Sequence, residues 1–210
     1  MRKALPAAAL FLSSLLMSAG GEDAPAPPSV SLLPGTDTPE AAVCPDGAAY
    51  VYREYTIYVR QTADTPGRDI DVYKPSEKVA DPCGAVKGAR YYSVPAGAAD
   101  AGFFAGVSGR YLFIDQGTGP SYRTISILDM REKTYPLRAV RYSDAKIEDG
   151  VFTYYETRDE IEGALAKIPC PEASEWKQQG LGVEYEEKIS FDLETGKLTP
   201  LRVFRCSPAN

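Results

Sequence analysis

Apolar and polar residues alternate along much of this chain with a period of two. Within residues 181–192, the odd positions from Leu181 to Phe191 are apolar at five of six places, and glycine or polar residues fill the even positions. This alternation is typical of a β-strand that buries one face. A similar alternation predicts a strand over 51–59, and the continuous apolar run 111–114 predicts a central strand that is covered on both faces.

Short turn sequences separate these strand patterns. Asp149-Gly150 stands between two alternating segments, and Thr195-Gly196 precedes the last apolar segment of the chain. A glycine after aspartate or threonine suits the left-handed backbone of a tight hairpin. We therefore expect neighbouring strands to be antiparallel and joined by hairpins.

Helical patterns occur only near residues 158–180. One short helix is a candidate over 159–168, and a second lies between Pro171 and Gly180, which stand where a first-turn proline and a terminal glycine belong. The sequence therefore predicts an all-β, mostly antiparallel fold of roughly ten to twelve strands with one short helical insertion.

Three nine-residue windows are similar to one another. The windows 70–78, 125–133 and 189–197 each begin with isoleucine, have an apolar third residue and end in lysine. The last two resemble the hairpins that recur in the blades of β-propeller proteins. A closed propeller needs at least about four blades, so three units predict a meander of hairpins rather than a closed ring.

The first 20 residues have the pattern of a secretory signal peptide. Arg2 and Lys3 precede an apolar stretch from Leu5 to Met17, and small residues follow up to Gly20. This stretch is shorter than the roughly 20 residues that a membrane-spanning helix needs. We expect cleavage near Gly20 and no membrane span in the mature chain.

The rest of the chain divides into a leader and one domain. Residues 21–42 contain several prolines and lack apolar periodicity, which predicts a flexible, proline-rich leader. Residues 43–210 carry the strand patterns and are expected to form a single β-rich domain.

Four widely spaced cysteines predict two structural disulfides in an oxidising compartment, either the periplasm or the extracellular space. Three pairings are possible, and we favour the one in which each bond closes a loop within one half of the chain. These pairs are Cys44 with Cys83 and Cys170 with Cys206. The predicted fold is then a disulfide-stapled β-sandwich or an incomplete, propeller-like β-meander.

The chain contains no histidine. This excludes Ser-His-Asp and Cys-His nucleophile systems, as well as metal sites that depend on imidazole. Catalysis would then depend on paired carboxylates, for which Asp115 and Glu156, both at strand ends, are the best-placed candidates. Asp64, Asp69 and Asp71 lack the spacing of an EF-hand loop, so we predict neither a metal nor a cofactor.

Tyrosine is abundant, with 14 residues against seven phenylalanines and one tryptophan. Rings with a polar tip suit surfaces that stack on sugars or bind proteins, although strand propensity and packing explain the same excess. Arg53, Arg60 and Arg123 lie near these rings in the sequence and can add cation–π or carboxylate contacts. The candidate ligand-binding residues are Tyr52, Tyr58, Tyr122, Tyr154 and Tyr155.

The mature chain is acidic. Removing Arg2 and Lys3 with the signal peptide leaves 21 of the 23 basic residues against 29 acidic ones, a net charge of −8. Such a charge disfavours nucleic acid and favours cationic partners. We therefore expect an exported, non-catalytic binding module of the bacterial cell envelope. Its ligand would be an envelope glycan or a basic envelope protein such as a lysozyme-type hydrolase. The alternative is a carboxylate-dependent hydrolase of envelope polysaccharide.

Overall fold

The structure is a computed structural model that describes residues 32–61, 67–74, 82–83, 90–96, 102–117, 123–158 and 168–209. Several predicted features lie outside these ranges. They are the signal peptide 1–20, the leader up to residue 31, all but the last residue of the candidate helix 159–168, Asp64 and Tyr122.

The described residues form twelve strands in two sheets and one short helix. The five-stranded sheet contains β1 (Glu40–Cys44), β2 (Gly47–Val51), β3 (Thr56–Gln61), β4 (Arg68–Tyr73) and β5 (Tyr92–Val94). The seven-stranded sheet contains β6 (Gly102–Ser108), β7 (Tyr111–Gln116), β8 (Thr124–Asp129), β9 (Thr134–Glu148), β10 (Val151–Thr157), β11 (Gly182–Asp192) and β12 (Leu198–Ala209). The helix α1 (Ala173–Gln178) lies between Pro171 and Gly180, as predicted.

Every strand pairs antiparallel with its neighbour in the sequence. Both sheets are therefore plain meanders, which confirms the predicted all-β, antiparallel class. Antiparallel neighbours need only short connections, which is why the hairpin turns in the sequence were informative.

The strand β7 is covered on both faces, as its continuous apolar run predicted. Leu112 and Ile114 pack against the five-stranded sheet, whereas Tyr111 and Phe113 pack against β10 and β11. Successive side chains of a strand point to opposite faces, so β7 belongs to two separate cores. This places β6 to β8 as the middle layer of a sandwich-like stack.

The 15-residue strand β9 lets the seven-stranded sheet fold over on itself. Its first half pairs with β8 and its second half pairs with β10. The two halves of the sheet then meet face to face, and the ring centroids of Phe113 and Phe152 are 5.2 Å apart. Tyr111 meets Phe191 edge to face at the same distance of 5.2 Å.

Two of the similar nine-residue windows fold as hairpins that turn on an aspartate. Asp129 and Asp192 each accept backbone N–H groups of the following turn through a carboxylate oxygen. In both hairpins the fourth residue after the aspartate has a positive φ, 58° for Lys133 and 71° for Gly196. The window 70–78 contributes β4, and its last residues lie outside the described ranges.

The folded region starts earlier than the predicted boundary at Val43. Leu32 and Leu33 pack against the two cores, and the N–H of Leu33 donates to the Ala105 carbonyl at 2.8 Å. Two adjacent leucines followed by a turn at Pro34 are enough to attach this short segment, although they form no periodic pattern. Only the part of the predicted 21–42 leader before residue 32 therefore remains outside the described fold.

A second difference concerns the strand predicted over 51–59. The structure breaks it into β2 and β3, which are joined by a turn in which the N–H of Tyr52 donates to the Tyr55 carbonyl at 2.8 Å. Arg53 and Glu54 occupy this turn, and neither residue is a typical turn former. Tyr50 and Tyr52 consequently lie in the same core as Ile57 rather than on the opposite face.

The two disulfides are Cys44–Cys83 and Cys170–Cys206, which confirms the favoured pairing. They close loops with sequence separations of 39 and 36 residues. Two structural disulfides indicate an oxidising, extracytoplasmic environment. Within the described ranges, no helix has the length and apolar character needed to cross a membrane.

Candidate ligand-binding site

The outer face of the five-stranded sheet carries a polar cluster next to a disulfide. Ile57 and Val59 of β3 point into the core, so Tyr58 and Arg60 point the opposite way. The same alternation in β4 directs Asp71 and Tyr73 outward, beside Tyr58. The register places Tyr58 directly opposite Asp71, so these side chains share one face.

A pocket of about 210 Å³ opens on this face. Its wall combines two phenol rings, a carboxylate, a guanidinium and the Cys44–Cys83 disulfide. The lining residues are Cys44, Pro45, Asp46, Tyr58, Arg60, Tyr73 and Cys83. We call this space the Tyr58 pocket. The disulfide ties one side of the pocket to the β1–β2 turn and thereby fixes the position of Asp46.

Asp71 anchors two arginines beside the Tyr58 pocket. Its side chain is buried, with 1% of its surface exposed. One carboxylate oxygen accepts from Arg60 at 2.7 Å, and the other accepts from Arg90 at 3.1 Å and from Ser93 at 2.6 Å. A buried charge is tolerated when it is paired and hydrogen-bonded in this way. The arrangement holds both guanidinium groups in fixed positions.

The two phenols of the pocket are held in their neutral form. Burial raises the pKa of Tyr58 to about 12, and the hydrogen bond that its hydroxyl donates to Asp46 adds to the shift, while Arg60 opposes it. Burial also raises the pKa of Tyr73, followed by the charge of Asp71, against Arg90 and Arg60. Both phenols therefore keep their protons to a higher pH than a free tyrosine does.

The Tyr58 pocket combines apolar and polar groups in its wall. Phenol rings offer flat, apolar surface with a polar edge, and the charged groups offer directional hydrogen bonds. The lining contains no thiol, since Cys44 and Cys83 are joined. The only grouping of possible metal ligands in the described ranges is Cys170, Glu172 and Cys206, and its two sulfurs form the second disulfide. Disulfide sulfurs lack the thiolate charge that binds metals.

The carboxylates considered for catalysis lie elsewhere, between the two halves of the seven-stranded sheet. Asp115 follows Phe113 on the same face of β7, and Glu156 follows Tyr154 on the same face of β10. Tyr142 connects them, because it lies opposite Glu156 in the register and its hydroxyl donates to Asp115 at 3.2 Å. The structure thus brings both candidates to one end of the same core.

Each of these carboxylates is paired with an arginine. Arg123 forms an ion pair with Asp115, and Arg158 forms ion pairs with Glu156 at 3.2 Å and with the buried Glu187 at 3.0 Å. Both candidate acids therefore belong to an ion-pair network that joins neighbouring segments of the sheet.

The predicted tyrosines are placed in different environments. Tyr52 is buried in the core below the five-stranded sheet, and Tyr154 is 1% exposed and stacks on Phe152. Neither ring lines the Tyr58 pocket. Tyr155 lies on the outer face of the seven-stranded sheet, where the guanidinium of Arg205 covers it at 3.8 Å from the ring centroid. Among the predicted tyrosines in the described ranges, Tyr58 alone lines the pocket.

Sequence reasoning missed three pocket residues as ligand contacts. Arg60 was expected to contact a ring or a carboxylate, whereas Asp46 and Tyr73 were not singled out. The sequence does contain a signal for these residues. Asp46 directly follows Cys44-Pro45, and Tyr73 lies two residues after Asp71 in β4, so both side chains point to the same face. A disulfide beside a turn and two outward tyrosines on adjacent strands point to this face.

No family model, curated protein or solved structure matches the chain.

Proposed function

We propose that the chain is an exported, non-catalytic binding module of the bacterial cell envelope, periplasmic or secreted, which binds a small polar group of an envelope component in the Tyr58 pocket. A glycan unit and the end of a peptide are both such groups. The observation that carries the proposal is the pocket itself, in which phenols, a carboxylate and a guanidinium line one opening beside a disulfide.

Export is supported by two independent features. The first 20 residues have the pattern of a secretory signal peptide, and the two disulfides suit an oxidising compartment. The mature charge of −8, with 21 basic and 29 acidic residues, also favours a basic envelope protein as the carrier of the bound group.

Rigid placement of the polar groups supports binding. Asp71 fixes Arg60, and the Cys44–Cys83 disulfide fixes the turn that holds Asp46. A site whose donors and acceptors are already in position loses less entropy when it binds a ligand.

The experiment is a thermal melt of the mature, oxidised chain with a panel of envelope glycans, muropeptides, amino acids and basic envelope proteins. A ligand at 100 times its Kd adds about 2.7 kcal/mol to the free energy of unfolding. For a domain of this size, this raises Tm by about 5 to 10 °C. We expect at least one small polar ligand to produce such a shift.

Two variants locate the site. Tyr73→Ala removes a ring from the Tyr58 pocket and should abolish the shift, whereas Tyr155→Ala on the seven-stranded sheet should preserve it. The reverse result would place binding on the other sheet and overturn the proposed site. If no member of the panel shifts Tm, the binding function itself is contradicted.

A further inference from the structure

The Tyr58 pocket holds two opposite charges that do not neutralise each other. Asp46 and Arg60 both line the pocket, yet no ion pair joins them within the described part of the chain. Arg60 is instead paired with Asp71 at 2.7 Å, and Asp46 accepts a hydrogen bond from the Tyr58 hydroxyl. Two opposite charges that stay apart in one small pocket leave room for a ligand that meets both.

Arg60 also keeps donors that Asp71 does not use. One of its terminal nitrogens donates to Asp71, and the side chain is 36% exposed. A guanidinium carries five N–H donors, so accessible donors remain for a ligand. A carboxylate is the acceptor that matches a guanidinium best.

Asp46 supplies the negative charge of the pocket. Its carboxylate lies in the turn between β1 and β2, where the residue is exposed, and the hydrogen bond from Tyr58 holds it in place. A carboxylate offers several acceptor sites, so one hydrogen bond leaves the others free for an ammonium group. The hydrogen bond from Tyr58 and the shared pocket lining place Asp46 and Arg60 beside the same phenol.

The size of the pocket limits the ligand. Pockets for drug-sized molecules have volumes of about 300 to 1,000 Å³, and the Tyr58 pocket has about 210 Å³. It therefore suits a molecule of roughly amino-acid size. Tyr58 and Tyr73 also line the pocket, but they are 5% and 8% exposed, so they offer the middle of such a molecule only a small contact surface.

Neutral, anionic and cationic ligands each match the pocket wall less well than a ligand that carries both charges. A neutral sugar leaves the exposed Asp46 carboxylate without an ionic partner. An anion meets the repulsion of Asp46, and a cation meets that of Arg60. We propose that the pocket binds a zwitterion, a free α-amino acid or a dipeptide, with its ammonium group on Asp46 and its carboxylate on Arg60. This inference rests on the proposed function and names the ligand class of the same site.

The first test changes the ligand and leaves the protein intact. Calorimetric titration of the mature, oxidised chain is carried out with phenylalanine and with alanyl-alanine, each compared with its N-acetyl derivative and its methyl ester. Losing either charge should weaken binding at least about tenfold, since hydrogen bonds between charged groups are the stronger class. A preference for phenylalanine or for alanyl-alanine tells whether the natural ligand is a free amino acid or a peptide.

The second test changes the protein. Asp46→Asn keeps an acceptor for the Tyr58 hydroxyl and removes the charge, so the variant should bind the free and the N-acetylated amino acid equally weakly. Arg60→Gln should remove the discrimination between the acid and the methyl ester. Asp149→Asn, in the exposed turn between β9 and β10, is the matched control and should bind as the unmodified chain does.

The outcomes separate this inference from the proposed function. If a neutral saccharide binds in the pocket and no zwitterion does, the ligand class is overturned and the binding module stands. Equal affinity for the free, N-acetylated and esterified amino acid would also overturn the ligand class and leave the binding module in place. If no small ligand of any charge binds, both proposals fail. Should Arg60→Gln not fold, Asp46→Asn and the modified ligands still decide the question.

Discussion

Gly35 lies so close to the backbone of Ile147 that a β-carbon on Gly35 would overlap the Ile147 carbonyl oxygen. The N–H of Ile147 donates to the Pro34 carbonyl at 2.9 Å, which draws the two segments together. Gly35 also has a φ of +85°, a conformation that glycine adopts most easily. This contact fixes the segment before β1 against the second half of β9.

Replacing Gly35 by alanine should therefore destabilise the fold more than an ordinary glycine substitution does. Gly150 has a similar φ of +76° but no atom within 4 Å of its added β-carbon. Gly150→Ala should cost about 1 to 2 kcal/mol from the backbone conformation alone, and Gly35→Ala should cost at least about 2 kcal/mol more from the overlap.

Chemical denaturation of both variants measures this difference. Hydrogen exchange at the Ile147 N–H adds a local readout, because it should become faster in Gly35→Ala and stay unchanged in Gly150→Ala. Equal free energies of unfolding for the two variants would show that the segment before β1 is not held by this contact.

The buried Asp71 should be important for stability as well as for the pocket. Asp71→Ala leaves Arg60 and Arg90 without their shared carboxylate, and breaking a buried ion pair costs about 3 to 5 kcal/mol. The arginine side chains are 36% and 51% exposed, so water compensates in part and we expect about 2 to 3 kcal/mol.

Glu148→Ala is the comparison for Asp71→Ala. Glu148 is paired with Lys146 at 2.8 Å on the surface, where both side chains are about half exposed or more. Removing an exposed pair should change the free energy of unfolding by less than about 1 kcal/mol. Denaturant midpoints of the two variants provide the measurement, and similar losses would mean that Asp71 does not anchor its arginines.

High pH should unfold the protein through its tyrosines. Burial raises the pKa of Tyr58 and of Tyr135 to about 12, above the value of about 10 expected for an unfolded chain. A group with a raised pKa in the folded state contributes stability that is complete below the unfolded value. That stability is lost as the pH rises from about 10 towards about 12.

Tyrosinate absorbance and circular dichroism, followed together across this pH range, test the expectation. Ionisation of the buried tyrosines should coincide with loss of the β-sheet signal. Tyr58→Phe removes one of the shifted groups and should reduce the pH dependence of the denaturant midpoint. If all tyrosines titrate near pH 10 while the fold remains intact, the burial of these phenols is contradicted.

The fold class was accessible from sequence because it depends on local features. Alternation along 181–192 and the Asp149-Gly150 turn each specify a strand or a hairpin within a few residues of chain. The split between β2 and β3 was not accessible, since the turn at Arg53 and Glu54 lacks typical turn residues and is imposed by packing of Tyr52 and Tyr55 in the core.

The site was harder to predict from the sequence because it depends on strand register. Tyr58 was predicted from its type alone, but its partner across the sheet is set by the pairing of β3 with β4. The ion pair of Arg60 with Asp71 and the hydrogen bond to Asp46 both follow from that pairing and from the disulfide. Sequence spacing predicts neither contact. Before the register is known, any exposed acidic residue is an equally good candidate partner for Arg60 or Tyr58.

The Cys170–Cys206 disulfide should contribute most of the stability of the last strand. It joins the segment before α1 to β12, an edge strand that pairs only with β11 within the described residues. With a sequence separation of 36 residues, the loop-entropy relation gives about 4 kcal/mol. Replacing both cysteines by serine should lower the free energy of unfolding by about this amount. Hydrogen exchange should become faster in β12 but stay unchanged in β3, which the Cys44–Cys83 disulfide still supports. A double-serine variant with unchanged exchange in β12 would show that pairing with β11 is sufficient to hold the strand.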